Sequence, residues 1–388
     1  MTLITYSTRV HFAEGILEEA IWSEVEAKGR KRPLIIGAAG AAATAGISET
    51  HERGHNELFE RIMSGLPAKS EPRFYSDLPR IPNEATVRTI AKTFRDASAD
   101  VIIAFGGATA IDLAKLARFS LRAGPRALDH FTHFEGIAAT RSPLPDLIAI
   151  PDTRGLGSAV SAYAPIRLAN GTAQRIINSD LIPDVTICDP SIASEVAAGD
   201  RASAVSEALA RCLEAFLSPG YNPPAAGIAS DGLKRIVNVL ARHSRVANRE
   251  TDRDVMAASL NGALALQKDV GATHALAMVL RMVADRDLDP GAVCRILLPR
   301  MIELYEARDS VKAAQACRTA GFGENASLAD GLLPLLDALP LPSRLSELGV
   351  RKTDIVEAAR VAETEFVGRG RDLAARPGQL AAMMTSVH

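Results

Sequence analysis

Residues 100–115 read DVIIAFGGATAIDLAK, and this stretch decides the fold more than any other part of the chain. The apolar run before Gly106 predicts a buried strand, and the segment from Thr109 onward has the apolar spacing of a helix. Gly106 and Gly107 let the backbone approach a ligand closely, and the helix that follows them offers unpaired N–H groups. The stretch therefore predicts a phosphate-binding loop in an α/β domain.

A tight strand-to-helix turn that binds nothing is the alternative interpretation of the same residues. The chain lacks a G-x-G-x-x-G motif, which is a stronger signal than two adjacent glycines and would indicate an ordinary Rossmann dehydrogenase. Thr109 can cap the helix or donate to a phosphate. Asp112 and Lys115 are three residues apart and share one face of the helix.

The character of the chain changes near residue 190. Before it, helical stretches alternate with continuous apolar runs, which are typical of strands buried on both faces of a parallel sheet. These runs begin at Pro33, Asp100, Asp146 and Asp184. After it, only helical spacing is found. We predict an α/β nucleotide-binding domain with a parallel sheet over 1–190 and an all-helical domain over 191–388.

Composition excludes several classes of protein. The 388 residues are 47% hydrophobic with a formal net charge of −2, which gives no reason to expect a nucleic-acid or membrane partner. No apolar run is long enough to span a membrane, and the N-terminus lacks the pattern of a signal peptide. Four widely spaced cysteines do not indicate a disulfide framework, so we expect a cytoplasmic protein.

Two segments of the first half resemble motifs of the iron-containing alcohol dehydrogenases, a family allied to the dehydroquinate-synthase-like fold. Residues 105–115 resemble the motif G-G-G-S-x-x-D-x-x-K, with Ala108 at the third glycine and Thr109 at the serine. Residues 150–160, IPDTRGLGSAV, look like P-T-T-x-G-T-G-S-E, the second loop on the dinucleotide. Arg154 of this loop could pair with a phosphate or with Asp152.

The second half resembles the same family. Residues 206–215, SEALARCLEA, are similar to M-D-A-L-x-H-x-x-E-A, and residues 274–299 are similar to H-x-x-x-H followed by P-H-G and L-L-P. The stretch from Leu339 resembles the maleylacetate reductase branch. The chain is thus identified as a divergent member of the iron-containing alcohol dehydrogenase and maleylacetate reductase family.

This resemblance implies an NAD or NADP cofactor, a small-molecule substrate for which an anionic group is one option, and a homodimer. The cofactor-binding residues that it implies are Gly106, Gly107, Thr109, Asp112, Lys115, Asp152, Thr153, Gly155 and Ser158.

The metal ligands of the family are replaced. The family binds Fe²⁺ or Zn²⁺ through one aspartate and three histidines, and these positions carry over to Glu207, Arg211, Met278 and Pro290. Neither a guanidinium nor a proline side chain offers a lone pair to a metal, so we expect none to bind. His274 survives, either near the nicotinamide or substrate or as a core histidine.

Glu207, Arg211 and His274 are therefore the predicted catalytic residues. One hypothesis is that Arg211 replaces the metal electrostatically and is oriented by Glu207. The alternative is an i, i+4 ion pair that plugs an abandoned site. Three functions follow: a metal-independent NAD(P)-dependent oxidoreductase acting on a small carbonyl or oxo-acid in the interdomain cleft, a non-redox enzyme such as a lyase, or a non-catalytic homologue.

Overall fold

The chain folds into two compact units, described here from a computed structural model. The first comprises Tyr6–Ala197 and the second Ala198–His388. The structure describes residues 6, 8–38, 49–124, 143–153, 155–171, 173–195, 198–242, 249–266, 268, 271–284, 286, 288–323, 326–365 and 378–388. The predicted fold class, an α/β unit with a parallel sheet followed by a helical unit, is confirmed.

The first unit is built on a parallel sheet. Its strands and helices are β1 (Arg9–Phe12), α1 (Leu17–Glu26), β2 (Pro33–Ile36), α2 (Glu49–Ser64), β3 (Arg73–Tyr75), α3 (Glu84–Asp96), β4 (Val101–Gly106), α4 (Ala108–Ala123), β5 (Asp146–Pro151), α5 (Leu156–Ala159), β6 (Tyr163–Arg167), β7 (Ala173–Ile177) and β8 (Val185–Cys188). Among the described residues, six of these strands pair in parallel in the order β1–β8–β5–β4–β2–β3. The strands β6 and β7 form a separate antiparallel pair that the sequence pattern did not predict.

Burial on both faces explains why the strands are continuously apolar. Side chains alternate between the two faces of a strand. In β4, Ile102 and Ala104 pack with α3 and α4, whereas Ile103 and Phe105 pack with α1 and α2. Helices thus cover the sheet on both sides, as expected for parallel strands joined by helical crossovers.

The strand order places a crevice at the carboxyl ends of β2 and β4. The chain runs from β2 outward to β3 and then returns to the other side of β2 to form β4. Neighbouring strands whose connections leave in opposite directions create such a crevice, and open α/β sheets bind ligands there. Gly37 follows β2 and Gly106 ends β4, so the predicted phosphate loop lies at this switch point.

The second unit is formed by α6 (Ala198–Leu217), α7 (Pro223–Ala241), α8 (Arg249–Ala265), α9 (Ala272–Val283), α10 (Pro290–Arg308), α11 (Ser310–Ala320), α12 (Leu328–Asp337), α13 (Lys352–Glu365) and α14 (Gln379–Ser386). Polar side chains define where several of these helices begin. Asn222 accepts from the backbone N–H of Ala225 at the start of α7, and Asp289 accepts from that of Gly291 at the start of α10. A large apolar core runs through this unit.

The four cysteines are buried free thiols, in agreement with the absence of a disulfide framework. Within the described ranges, no helix combines the length and the apolar character needed to cross a membrane.

Candidate functional site

The first candidate site, called the glycine cradle below, consists of Gly106, Gly107, the first turn of α4 and the described residues of the segment 152–158, which leads into α5. Gly106 has a φ of +97°, which favours glycine over any residue with a side chain. Gly107 is the N-cap of α4 and contributes no side-chain cap. The strand-to-helix turn predicted from the sequence therefore directs the positive end of the α4 dipole toward the crevice.

The two loops of the glycine cradle are in backbone contact. The N–H of Asp152 donates to the carbonyl of Gly106 at 3.1 Å. The Asp152 carboxylate in turn accepts from the N–H of Gly155 at 2.9 Å. A Cβ atom on Gly155 would lie 2.3 Å from the carbonyl oxygen of Gly106. Gly155 is thus required by the packing of the protein itself.

Gly107 differs from Gly155 in this respect. Among the residues that the structure describes, a Cβ atom there would meet only the Asp152 carboxylate, at 3.8 Å, which is an ordinary contact. The backbone of Gly107, with φ −74° and ψ 175°, is one that alanine adopts readily. The fold therefore does not require glycine at 107, whereas a phosphate close to the backbone would.

Thr153 carries a second sign of a ligand. Its side chain is 5% exposed, and its hydroxyl has no hydrogen-bond partner within the part of the chain that the structure describes. Buried hydroxyls are nearly always paired. Together with the space at Gly107, this hydroxyl makes the glycine cradle fit a dinucleotide. Arg154, the neighbour for which two roles were proposed, lies outside the described residues.

Lys115 is used inside the protein. Its ammonium is fully buried and donates to the carbonyl of Ser158 at 3.0 Å, to the hydroxyl of Ser161 at 3.1 Å and to the carbonyl of Tyr163. It lies 3.4 Å from the carboxylate of Asp112. Burial lowers the pKa of Lys115, and Asp112 opposes that shift. The pair fastens the end of the second loop to α4, so Lys115 positions the glycine cradle.

The remaining residue that was predicted to bind the cofactor from α4 is Thr109. Its hydroxyl donates to the carbonyl of Arg80 at 3.4 Å. It is partly exposed at the first turn of the helix. Ser158 is buried on α5, with its backbone carbonyl committed to Lys115.

The second candidate site, called the polar cluster below, consists of Glu207, Arg211 and His274 in the helical unit. Glu207 and Arg211 are one turn apart on α6 and form a buried ion pair. The Nε of Arg211 donates to the Nδ1 of His274, on α9, at 3.4 Å. Nδ1 of His274 also lies 3.7 Å from the Glu207 carboxylate. The structure thus brings together the three predicted catalytic residues.

Charge balance in the polar cluster depends on Arg211. Burial raises the pKa of Glu207, and the neighbouring guanidinium of Arg211 is the first opposing influence. A guanidinium remains a cation in any protein environment. Arg211 therefore supplies a permanent positive charge in a setting of low dielectric, where each charge acts strongly.

Glu214, which the sequence pattern did not single out, holds the start of α9. Its carboxylate accepts from the N–H and the hydroxyl of Thr273 at 2.8 and 2.7 Å, from the N–H of His274 at 3.5 Å and from the hydroxyl of Tyr305 at 3.3 Å. Burial raises the pKa of Glu214 to about 7. The match of Glu214 to the glutamate of the family motif at residues 206–215 could have indicated this role from the sequence. Glu214 positions His274 through the backbone.

The residues of the polar cluster do not fit a divalent metal. No group of three histidine, cysteine, aspartate or glutamate side chains suited to a metal occurs among the described residues. Pro290 begins α10, and Met278 packs against the helical core. His274 lies beside Glu207 and Arg211, and the carry-over of a metal-ligand position to Met278 stays a prediction. Arg211 itself offers no lone pair.

Comparisons with known proteins cover nearly the whole chain. The family model "Iron-containing alcohol dehydrogenase" matches residues 7–190, and "Fe-containing alcohol dehydrogenase family, C-terminal" matches residues 201–374. The chain is similar to 4-hydroxybutyrate dehydrogenase of Cupriavidus necator, with 32% identity over 361 residues, or 90% of each chain.

Two solved structures share the fold. Sulfoacetaldehyde reductase from Bifidobacterium kashiwanohense, in complex with NAD⁺, has a TM-score of 0.81 at 20% identity, covering 100% of this chain and 98% of that chain. Maleylacetate reductase from Agrobacterium tumefaciens has a TM-score of 0.75 at 18% identity with the same coverage.

Proposed function

The chain belongs to the iron-containing alcohol dehydrogenase family and is an oxidoreductase of that family, and on this premise we propose that it works without a metal. The proposed reaction is the NAD(P)-dependent interconversion of a small carbonyl compound or oxo-acid and its alcohol. The observation that carries the proposal is the guanidinium of Arg211, buried between a carboxylate and an imidazole.

Two features of the glycine cradle support a dinucleotide cofactor. A Cβ atom at Gly107 would clash with none of the described residues, so there is space beside this glycine for a phosphate. Thr153 has a buried hydroxyl without a hydrogen-bond partner in the described structure. The structural neighbour that contains NAD⁺ favours NAD over NADP as the first cofactor to test. When bound, the nicotinamide supplies or accepts the hydride.

Arg211 is proposed to stabilise the substrate oxygen. Negative charge develops on that oxygen as a carbonyl is reduced, and a fixed cation in a dry site lowers the free energy of that state. The ion pair with Glu207 orients the guanidinium before the substrate arrives. His274 limits the rotation of the guanidinium from the other side, because its Nδ1 accepts from Nε of Arg211.

The substrate class is proposed from the sequence relative. The relative at 32% identity is a 4-hydroxybutyrate dehydrogenase, whose named substrate is a short hydroxy acid. Short ω-hydroxy acids and the matching ω-oxo acids, beginning with 4-hydroxybutyrate and 4-oxobutanoate, are therefore the first compounds to assay.

The test compares Arg211→Ala with Arg235→Ala. Arg235 forms an i, i+4 ion pair with Asp231 on α7 and a second ion pair with Asp254 on α8, so it is a more exposed control for the loss of an arginine ion pair outside the polar cluster. Turnover of chelator-treated protein with NADH, NADPH and a panel of oxo-acids is measured for both variants. We expect Arg211→Ala to lose at least about 100-fold in turnover, the scale of a single lost oxyanion donor, and Arg235→Ala to keep the wild-type rate. Unchanged turnover of Arg211→Ala would mean that the ion pair only fills an abandoned site.

A further inference from the structure

The polar cluster has the geometry of a cation site. We infer that a side chain of the protein itself fills this site. The Arg211 guanidinium occupies the position of a metal ion, and Glu207 and His274 are arranged like two ligands of that ion. The inference rests on the proposed metal independence of the protein, and it assigns a specific cause to that independence. One side chain, Arg211, both excludes a divalent metal and substitutes for its charge.

Distances support this arrangement. Two ligands bound to one zinc ion at about 2.0–2.2 Å, with near-tetrahedral angles, lie roughly 3.4 Å apart. The Glu207 carboxylate oxygen and the Nδ1 atom of His274 are 3.7 Å apart. The guanidinium contacts both of these atoms, through Nη2 and Nε respectively. A positive charge already lies where the two donor atoms converge.

The helix positions point to the same conclusion. Glu207 and Arg211 are four residues apart on α6, and ligands with that spacing on one helical face can bind a single zinc ion. His274 faces them from α9, whose first turn is held by Glu214. A histidine at 211 would complete a set of one carboxylate and two imidazoles, a ligand set that zinc uses in catalytic sites.

Arg211→His therefore tests the inference, with Arg211→Gln as the matched control that removes the cation without adding a ligand. Co²⁺ is titrated into chelator-treated wild type and both variants, with visible absorbance and calorimetry as readouts. We expect Arg211→His to bind one equivalent of Co²⁺ with a tetrahedral spectrum. Its affinity should exceed that of Arg211→Gln by at least about 100-fold, since even indirect support of a metal site is worth 10–100-fold. Wild type should give no such spectrum.

The outcomes separate the two proposals. A folded Arg211→His variant that binds no Co²⁺ would overturn the filled-cation-site inference and leave the proposed function standing. Stoichiometric binding of Co²⁺ by wild type would overturn both.

A second variant covers the case in which Arg211→His does not fold. Arg211→Ala leaves the Glu207 carboxylate buried without its cation, so millimolar guanidinium should raise its melting temperature while leaving that of wild type unchanged. An absence of such rescue in folded Arg211→Ala protein would also contradict the inference.

Discussion

Replacing Gly107 with alanine should leave the fold intact and weaken dinucleotide binding. Within the described part of the chain, the added methyl group would meet only the Asp152 carboxylate, at 3.8 Å. The backbone angles of Gly107 suit alanine, so a gain of about 0.4–1 kcal/mol through the unfolded chain opposes a loss of similar size from placing alanine at the N-cap of α4. The melting temperature should therefore stay within a few degrees of that of wild type. The methyl group would occupy space close to the N–H groups that a phosphate needs, so we expect at least a tenfold loss of affinity, or about 1.4 kcal/mol.

Gly155→Ala is the matched contrast within the same cradle. Its Cβ atom would lie 2.3 Å from the Gly106 carbonyl and 3.0 Å from Ile111 Cδ1. Overpacking against backbone of this kind costs roughly 1–3 kcal/mol. We expect its melting temperature to fall by about 2–12 °C for a unit of this size.

The assay combines thermal melting with calorimetric titration of NADH for wild type and both glycine variants. We expect Gly107→Ala to lose affinity without losing stability and Gly155→Ala to lose stability. If Gly107→Ala bound NADH as tightly as wild type, the space at Gly107 would not hold a phosphate. If Gly107→Ala unfolded, the turn would need glycine at 107 for its own packing. That result would contradict the inference, drawn from the contact distance at Gly107, that alanine fits there.

Three further changes test the positions of Thr153, Lys115 and Glu214. Thr153→Val should melt like wild type and lose about 1 kcal/mol in NADH affinity, because it removes a buried hydroxyl that the described protein leaves without a partner; unchanged affinity would remove Thr153 from the binding site. Lys115→Met should lower the melting temperature by about 6–20 °C, since it breaks the buried ion pair with Asp112 at a cost of roughly 3–5 kcal/mol; a loss of affinity alone would make Lys115 a ligand contact instead. Glu214 has a pKa raised to about 7, so the folded state holds its proton longer than the unfolded state, and this contribution to stability is lost as pH rises from about 4.5 to 7. The melting temperature of Glu214→Gln should therefore rise relative to that of wild type as pH increases from about 4.5 to 7. A difference in melting temperature that does not change with pH would contradict the raised pKa of Glu214.

Local patterns predicted the elements of this fold well. The runs beginning at Pro33, Asp100, Asp146 and Asp184 contain β2, β4, β5 and β8, because strands buried on both faces are apolar throughout. The sequence pattern did not predict β6 and β7. Tyr163–Arg167 has alternating burial and carries an arginine and a proline, so it gives no continuous apolar run.

The contacts within the candidate site were harder to predict from the sequence. His274 and Arg211 are 63 residues apart, and their contact arises from the packing of α9 against α6. The sequence alone could not show which of His274 and Met278 contacts Glu207 and Arg211, because residues four apart share a helical face. The role of Lys115 was hidden for a related reason. Its acceptors outside α4 lie 43 to 48 residues away, from Ser158 on α5 to Tyr163 at the start of β6.

Calorimetric titration of metal-free protein with NADH, and then with NADPH, tests the central claim most directly. The protein is first treated with EDTA and its metal content is checked. We predict micromolar binding of at least one of the two cofactors, unchanged by added Fe²⁺ or Zn²⁺. Binding that appears only after a metal is added would contradict metal independence. An absence of binding under both conditions would contradict the assignment of a nicotinamide cofactor to the glycine cradle.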